Sequence, residues 1–271
     1  MYKHGEYLFK SYFETKWAYV IILVTTVFFI YAGMYTSSAY SLPFFAPFGV
    51  ILPLLYAIKL ARFDRGIRHL VWWAFVFAMT IYIFTIYQDY TVQQTVTSSF
   101  PYTNAKFKWI KHNDITIEKD IINTYVTQYF LICISAFASG GIIALLIVSR
   151  EISKIAFYIG QLSQYSNDGF VSFIIGWEIW SVVRLAGFLC SIMSLSSFFL
   201  YWVMDFELEK RQIIKYFAIG FLLVISSFVL RIIFLSPTQK ILQKCAFDLP
   251  IQNLPTDEET TSIYIFDEKK Q

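Results

Sequence analysis

The chain has 271 residues, of which 57% are hydrophobic, 20% aromatic and only 15% charged, with a formal net charge of +3. A soluble globular domain carries charge on about a quarter of its residues, so this composition argues against an ordinary water-soluble fold. The cations fall in short stretches between apolar runs rather than on one basic face, which gives no footing for nucleic acid as a partner.

Crossing a hydrocarbon layer of about 30 Å takes a helix of about 20 mainly apolar residues, because backbone groups cannot be left unpaired in lipid. By that measure spans are expected at 17–36, 42–60, 70–87, 125–148, 185–204 and 213–235. The predicted fold class is all-α, a polytopic transmembrane helical bundle of about six spans. One membrane domain covers 1–236, and its surroundings are a lipid bilayer.

The first span follows a basic stretch, and Ser37-Ser38-Ala39 resembles a signal-peptide cleavage site. Its apolar run reaches Tyr35, longer than the ~7–15 residues of a signal core, so a retained span is expected. The second span carries Pro43, Pro47 and Pro53 with Gly49, which predicts a kink at Pro53. Broken helices line substrate sites in transporters. No matching broken segment occurs in the second half of the chain. Trp17, Tyr19, Trp72, Trp73, Tyr87, Tyr90, Tyr125, Tyr129, Tyr201 and Trp202 collect near the span ends, where amphipathic rings sit at the headgroup level.

Between the third and fourth spans lies the one long extracytoplasmic connection, 88–124. Phe107 and Trp109 alternate with polar neighbours before the turn-forming Lys111-His112-Asn113-Asp114, and Ile115 and Ile117 alternate after it. The pattern predicts a small β-hairpin whose apolar face, Phe107, Trp109, Ile115 and Ile117, is a candidate partner-docking surface. An isolated hairpin is marginal in water, so it must pack on the membrane domain or on another membrane protein.

Residues 150–184 predict a cytoplasmic amphipathic helix, with Ile152, Ile155, Ala156, Ile159 and Leu162 on one face and Arg150, Glu151, Lys154 and Gln161 on the other. Ser166-Asn167-Asp168-Gly169 breaks it. Phe170, Phe173, Ile174, Trp177 and Trp180 follow, and 171–184 is expected to lie in the interface and bend into the fifth span. The competing reading makes Glu178 and Arg184 buried charges on a candidate ion path.

The tail at 237–271, with Pro250, Pro255 and a polar run from Thr256 to Thr261, predicts a cytoplasmic, disordered segment. An inside N-terminus puts fifteen of the 22 Lys and Arg residues in the cytoplasm, leaving Lys106, Lys108, Lys111, Lys119, Lys210, Arg211 and Lys215 outside. Both termini are therefore expected in the cytoplasm, with the chain in a plasma (inner) membrane. Ala136, Gly140 and Ala144, and Ala186, Cys190 and Ser194, recur every fourth residue and predict close-packing seams.

His4, His69 and His112 fall on separate elements, and no phosphate-binding glycine loop or nucleophile elbow occurs, so no metal or cofactor is expected and an enzyme is disfavoured. Cys133, Cys190 and Cys245 are not placed to pair across the membrane exterior. The favoured expectation is a non-catalytic subunit or assembly factor of a membrane complex. The alternative is a transporter or permease for a small or apolar substrate.

Overall fold

The structure, a computed structural model, describes residues 17–36, 41–87, 99–112, 116–204 and 209–245. These form α1 (Trp17–Tyr35), α2 (Ser41–Phe45), α3 (Phe48–Lys59), α4 (Phe63–Tyr87), α5 (Phe100–His112), α6 (Thr116–Ser139), α7 (Ile142–Gln164), α8 (Gly169–Gly176), α9 (Ile179–Met204) and α10 (Lys210–Cys245). Among the described residues the protein is all-helical.

Among the described residues five helical stretches are long and apolar enough to cross a membrane: Trp17–Tyr35, Leu42–Lys59, Phe63–Tyr87, Ile179–Val203 and Lys210–Cys245. Their packing carries the same message. Along α1 the buried row is Ala18, Ile22, Thr26 and Ile30, while Val20, Val24, Phe28 and Tyr31 face outward. On α10 Gly220, Ser227 and Arg231 point inward, whereas Ile232 and Ile233 are exposed. Large apolar residues turned outward along whole helices, with glycine and polar residues such as Thr26, Gly220, Ser227 and Arg231 turned inward, is the pattern of helices solvated by lipid. The aromatic clusters divide by depth. Trp17, Tyr87 and Trp202 are exposed, but Trp73 is fully buried and donates through its indole N–H to the Ala46 carbonyl at 2.9 Å, beside the α2–α3 break. That break comes at Ala46–Pro47, ahead of Pro53, which lies inside α3.

The largest departure from expectation is at 125–148. The span is interrupted at Gly140 and Gly141, with φ of +61° and +92°, a region in which an ordinary side chain is strained. Neighbour relations show that the chain reverses there. Along α6 Tyr125 meets Arg184, Tyr129 meets Phe188 and Phe137 meets Phe198, so α6 runs parallel to α9. Gly66 and Gly141 both lie against the Ile192–Ser196 stretch of α9, and Gly160 lies against Thr85, so α7 runs parallel to α4. Helix α10 is antiparallel to α9, with Gly220 at Gly187 and Tyr216 back at Phe63. The chain therefore passes along the bundle seven times, in α1, α2–α3, α4, α6, α7, α9 and α10.

The described residues after Gly141 consequently reach the end of the bundle opposite to that expected. Loop 88–124 and region 150–184 were assigned to opposite faces, yet Lys106 pairs with Glu178 at 2.5 Å. Gln239 and Gln243 donate side-chain N–H groups to the carbonyls of Trp109 and Ile110, each at 2.7 Å. These segments share the Lys106 end of the bundle, and Phe63, Gly141 and Tyr216 share the opposite end. Trp17, beside the Tyr19 that packs on His69, is towards the Phe63 end, while Cys245, whose carbonyl accepts from Asn167 N, is at the Lys106 end. The two ends of the described chain do not lie on one face. Reporter fusions after Lys111 and after Cys245 are expected to agree with each other and to oppose fusions after Ala61 and after Glu209. Agreement between the Ala61 and Cys245 fusions would overturn this arrangement.

Three further expectations change. No strand occurs among the described residues: the predicted hairpin is replaced by α5 and the start of α6, and residues 113–115 lie outside the described residues. The amphipathic helix is not a one-sided surface element. Ile152, Ile155, Ala156, Ile159 and Leu162 are buried as one face, but so are Phe157, Tyr158, Gly160 and Gln161, because α7 is wrapped by α4, α5, α6 and α8. The tail boundary at 237 falls inside α10, which runs through Pro237 to Cys245 with Leu242 fully buried; residues 246–271 lie outside the described residues.

Candidate functional site

Helix α5 is amphipathic with the helical period. Thr103, Lys106, Phe107, Trp109 and Ile110 are buried, while Lys108 and Lys111 face out. Its inner face rests on Tyr158 of α7 and on Leu242 of α10. Lys106 is thereby carried inside the protein, where its Nζ lies 5.8, 5.2 and 6.0 Å from the ring centres of Tyr102, Trp109 and Tyr158. Aromatic faces attract a desolvated ammonium by ~2 kcal/mol or more. They cannot replace a counter-ion.

The counter-ion is Glu178. It sits in the two-residue link between α8 and α9, with φ of +45°, a left-handed conformation that side chains other than glycine adopt only when their surroundings hold them there. Asp168 caps α8 through Val171 N, and the link then turns so that Glu178 Oε1 meets Lys106. Its Oε2 accepts from Ser181 Oγ at 3.4 Å. One turn on, Arg184 Nη2 reaches the same Ser181 Oγ at 3.5 Å, and its guanidinium lies 3.5 Å from the centre of the Tyr125 ring. Arg231 of α10 approaches that ring at 5.6 Å, and its Nη1 has no hydrogen-bond partner among the described residues. Burial pushes the Tyr102 hydroxyl well above its ordinary pKa, assisted by Tyr125 and by the negative charge of Glu178. At neutral pH it is an uncharged donor.

Among the described residues the cluster holds three cations, Lys106, Arg184 and Arg231, and one anion, Glu178, all less than a tenth exposed. Taking an ion out of water costs several kcal/mol unless a partner of opposite charge offsets it. Among the described residues neither Arg184 nor Arg231 forms an ion pair, and the further negative charge acting on Arg184 is that of Glu151 on α7. A second pair, Glu151 with Lys154 at 2.8 Å, lies on α7, and the Lys154 ammonium already answers the Glu151 charge.

Beside the charges lies an apolar cleft of about 400 Å³ between α4, α7, α8 and α9. Phe75, Met79, Ile155, Phe173, Trp177 and Leu185 contribute to its wall, and Ser181 is its hydroxyl-bearing edge. Val71, Phe75 and Val182 line it and are themselves 46, 54 and 48% exposed, so the cleft opens on the outer flank of the bundle.

Glu178 and Arg184, the candidate ion-path residues, thus fall in one cluster. Their burial at 3 and 4% departs from the interfacial position expected for 171–184, because the chain turns inward at Trp177–Glu178. Of the candidate docking residues, Phe107 and Trp109 are buried against their own chain, Ile115 lies outside the described residues, and Ile117 is on the first turn of α6. Sequence reasoning did not find Lys106, Tyr125 or Arg231 as members of a site. The available signal for Lys106 was the spacing of Thr103, Lys106, Phe107 and Ile110, which is that of one helical face. Compared with known proteins, the chain matches no family model, no curated protein and no solved structure.

Proposed function

We propose that the protein is a membrane permease whose inner cluster receives the anionic part of its substrate. The observation that carries this reading is the buried cluster of Lys106, Glu178, Arg184 and Arg231, with two more positive than negative charges among the described residues. Ionisable residues inside a membrane protein are costly, and where they persist they mark substrate or ion pathways. The strained backbone at Glu178 points the same way, since strain of that kind collects where function over-determines a conformation. The subunit or assembly-factor reading leaned on an outward hairpin and on a cytoplasmic amphipathic helix, which is buried as α7. Phe107 and Trp109 instead spend their apolar surface on Tyr158 and Leu242, so that reading loses its support.

The test is uptake into phosphatidylcholine liposomes containing the purified protein, with labelled acetate, inorganic phosphate and dodecyl phosphate as probes. Uptake of at least one probe above empty liposomes is expected. It should fall by at least about tenfold in Arg184→Gln, as loss of a charge-assisted hydrogen bond implies, and stay at the parental rate in the exposed Lys108→Gln. Equal rates in Arg184→Gln and the parent, or no uptake of any probe, would sink the proposal.

A further inference from the structure

We infer that the ligand is a membrane-borne, single-chain anionic amphiphile, with its head at Arg184 and Arg231 and its chain in the cleft between α4 and α9. The inference deepens the permease reading and rests on its cluster. Helix α9 links the two halves. Val182, Leu185, Ala186 and Leu189 line the cleft, Arg184 turns to Tyr125, and Ser181 borders both, within 3.4 Å of Glu178 and 3.5 Å of Arg184. A molecule whose end reaches Ser181 is therefore one side chain away from the guanidinium.

Each half alone leaves the other unexplained. An uncharged hydrophobe would fill the cleft and leave Arg184 and Arg231 without an ion-pair partner among the described residues. A small hydrophilic anion would answer the charges, but it has no reason to use an apolar passage that opens among lipid-facing residues. An anionic head joined to an alkyl chain satisfies both. The head must be negative because Lys106 already neutralises Glu178, and the remaining buried cations are Arg184 and Arg231, whose Nη1 is unpartnered among the described residues. Arginine suits the task, since its planar fork matches the geometry of carboxylate and phosphate groups. A volume of about 400 Å³ is within the ordinary range for small-molecule sites. Entry from the flank makes the membrane itself the source.

The experiment is equilibrium binding of labelled dodecyl phosphate to the parent protein in nanodiscs of phosphatidylcholine, with dodecanol as the headless competitor and inorganic phosphate as the tailless one. Saturable binding beyond that of empty nanodiscs is expected, and each competitor should be weaker than unlabelled dodecyl phosphate by at least about tenfold, the equivalent of one charge-assisted contact. Arg184→Gln should weaken binding by a similar factor, and so should Ala186→Phe, which fills the cleft. Dodecanol competing as well as dodecyl phosphate would show that the head is not read. Inorganic phosphate competing as well would show that the chain is not read. Either result, or binding no greater than that of empty nanodiscs, overturns the inference, and these arms need no variant to fold. If small anions enter liposomes but the alkyl chain adds no affinity, the inference fails and the permease reading stands. If dodecyl phosphate binds as described but no probe crosses, the permease reading fails and the inference stands.

Discussion

Replacing Lys106 by Met is expected to destabilise the protein by about 3–5 kcal/mol, the usual cost of removing one partner from a buried ion pair. The Lys106 and Glu178 side chains are only 9 and 2% exposed, so little water can take over from the lost ammonium. Met keeps most of the side-chain volume between the rings of Tyr102, Trp109 and Tyr158, which isolates the charge effect from a cavity effect. What remains is an acid enclosed with the hydroxyl of Ser181. The double variant Lys106→Met/Glu178→Gln should recover most of the loss, because a neutral amide can still bond Ser181 and no unpaired charge is left behind. Lys108→Met, one residue away on the exposed face of α5, should change stability by no more than ~0.5 kcal/mol. Unfolding in mixed micelles of increasing denaturing-detergent fraction reads all three. A single variant as stable as the parent, or a double variant worse than the single, would contradict the burial of the pair.

The parts of this architecture that sequence carried are those set by composition over a whole helix. α1, α4, α9 and α10 are long and apolar, and a hydropathy window needs nothing else. The parts it hid depend on single residues or on distant ones. Gly140 and Gly141 divide one apolar run into two passes, and a window averaged over about 19 residues is blind to a two-residue turn. The second half of α7 reads as a surface helix because Arg150, Glu151, Lys154 and Gln161 share one face, although Glu151 and Lys154 neutralise each other locally. The orientation drawn from Lys and Arg rests on six spans, whereas the described helices pass along the bundle seven times. At Phe107 and Trp109 two residues of alternation also satisfy a helical period, and docking on Tyr158 and Leu242 decided for the helix. Glu178 was legible as an odd charge next to a span. Its partner is 72 residues earlier in the chain, on an element that a strand reading had pointed elsewhere. The close seam between α9 and α10 was likewise missed, because it is built from Gly187 and Gly220, where an added Cβ would come within 2.8 Å of the facing carbonyl, rather than from Ala186, Cys190 and Ser194.

Converting Gly140 and Gly141 together to Ala is expected to disrupt the fold more than any conservative change on the outer surface. Both residues have positive φ, which costs a residue with a side chain about 1–2 kcal/mol each. Alanine also favours helix over glycine by roughly 1 kcal/mol per residue, so the same substitution strengthens the competing state in which α6 runs straight into α7. Space is lacking as well. A Cβ on Gly141 would stand 2.4 Å from Ser196 Oγ, and one on Gly140 would stand 2.8 Å from the Phe199 ring. These effects act in one direction, towards a continuous helix that cannot place α7 beside α4. Since α7 supplies Tyr158 to the charged cluster and Ile152 and Ile155 to the cleft, loss of the turn removes one wall of each. The expected result is a fall in folded, monodisperse yield and in unfolding stability, with reporter fusions after Lys111 and after Cys245 no longer agreeing. Ile143→Ala, an exposed change two residues away, serves as the control for truncation in lipid-facing surface. A double-alanine variant with parental yield, stability and reporter sides would mean that the glycines do not hold the reversal, and the seven-pass path would lose its physical cause.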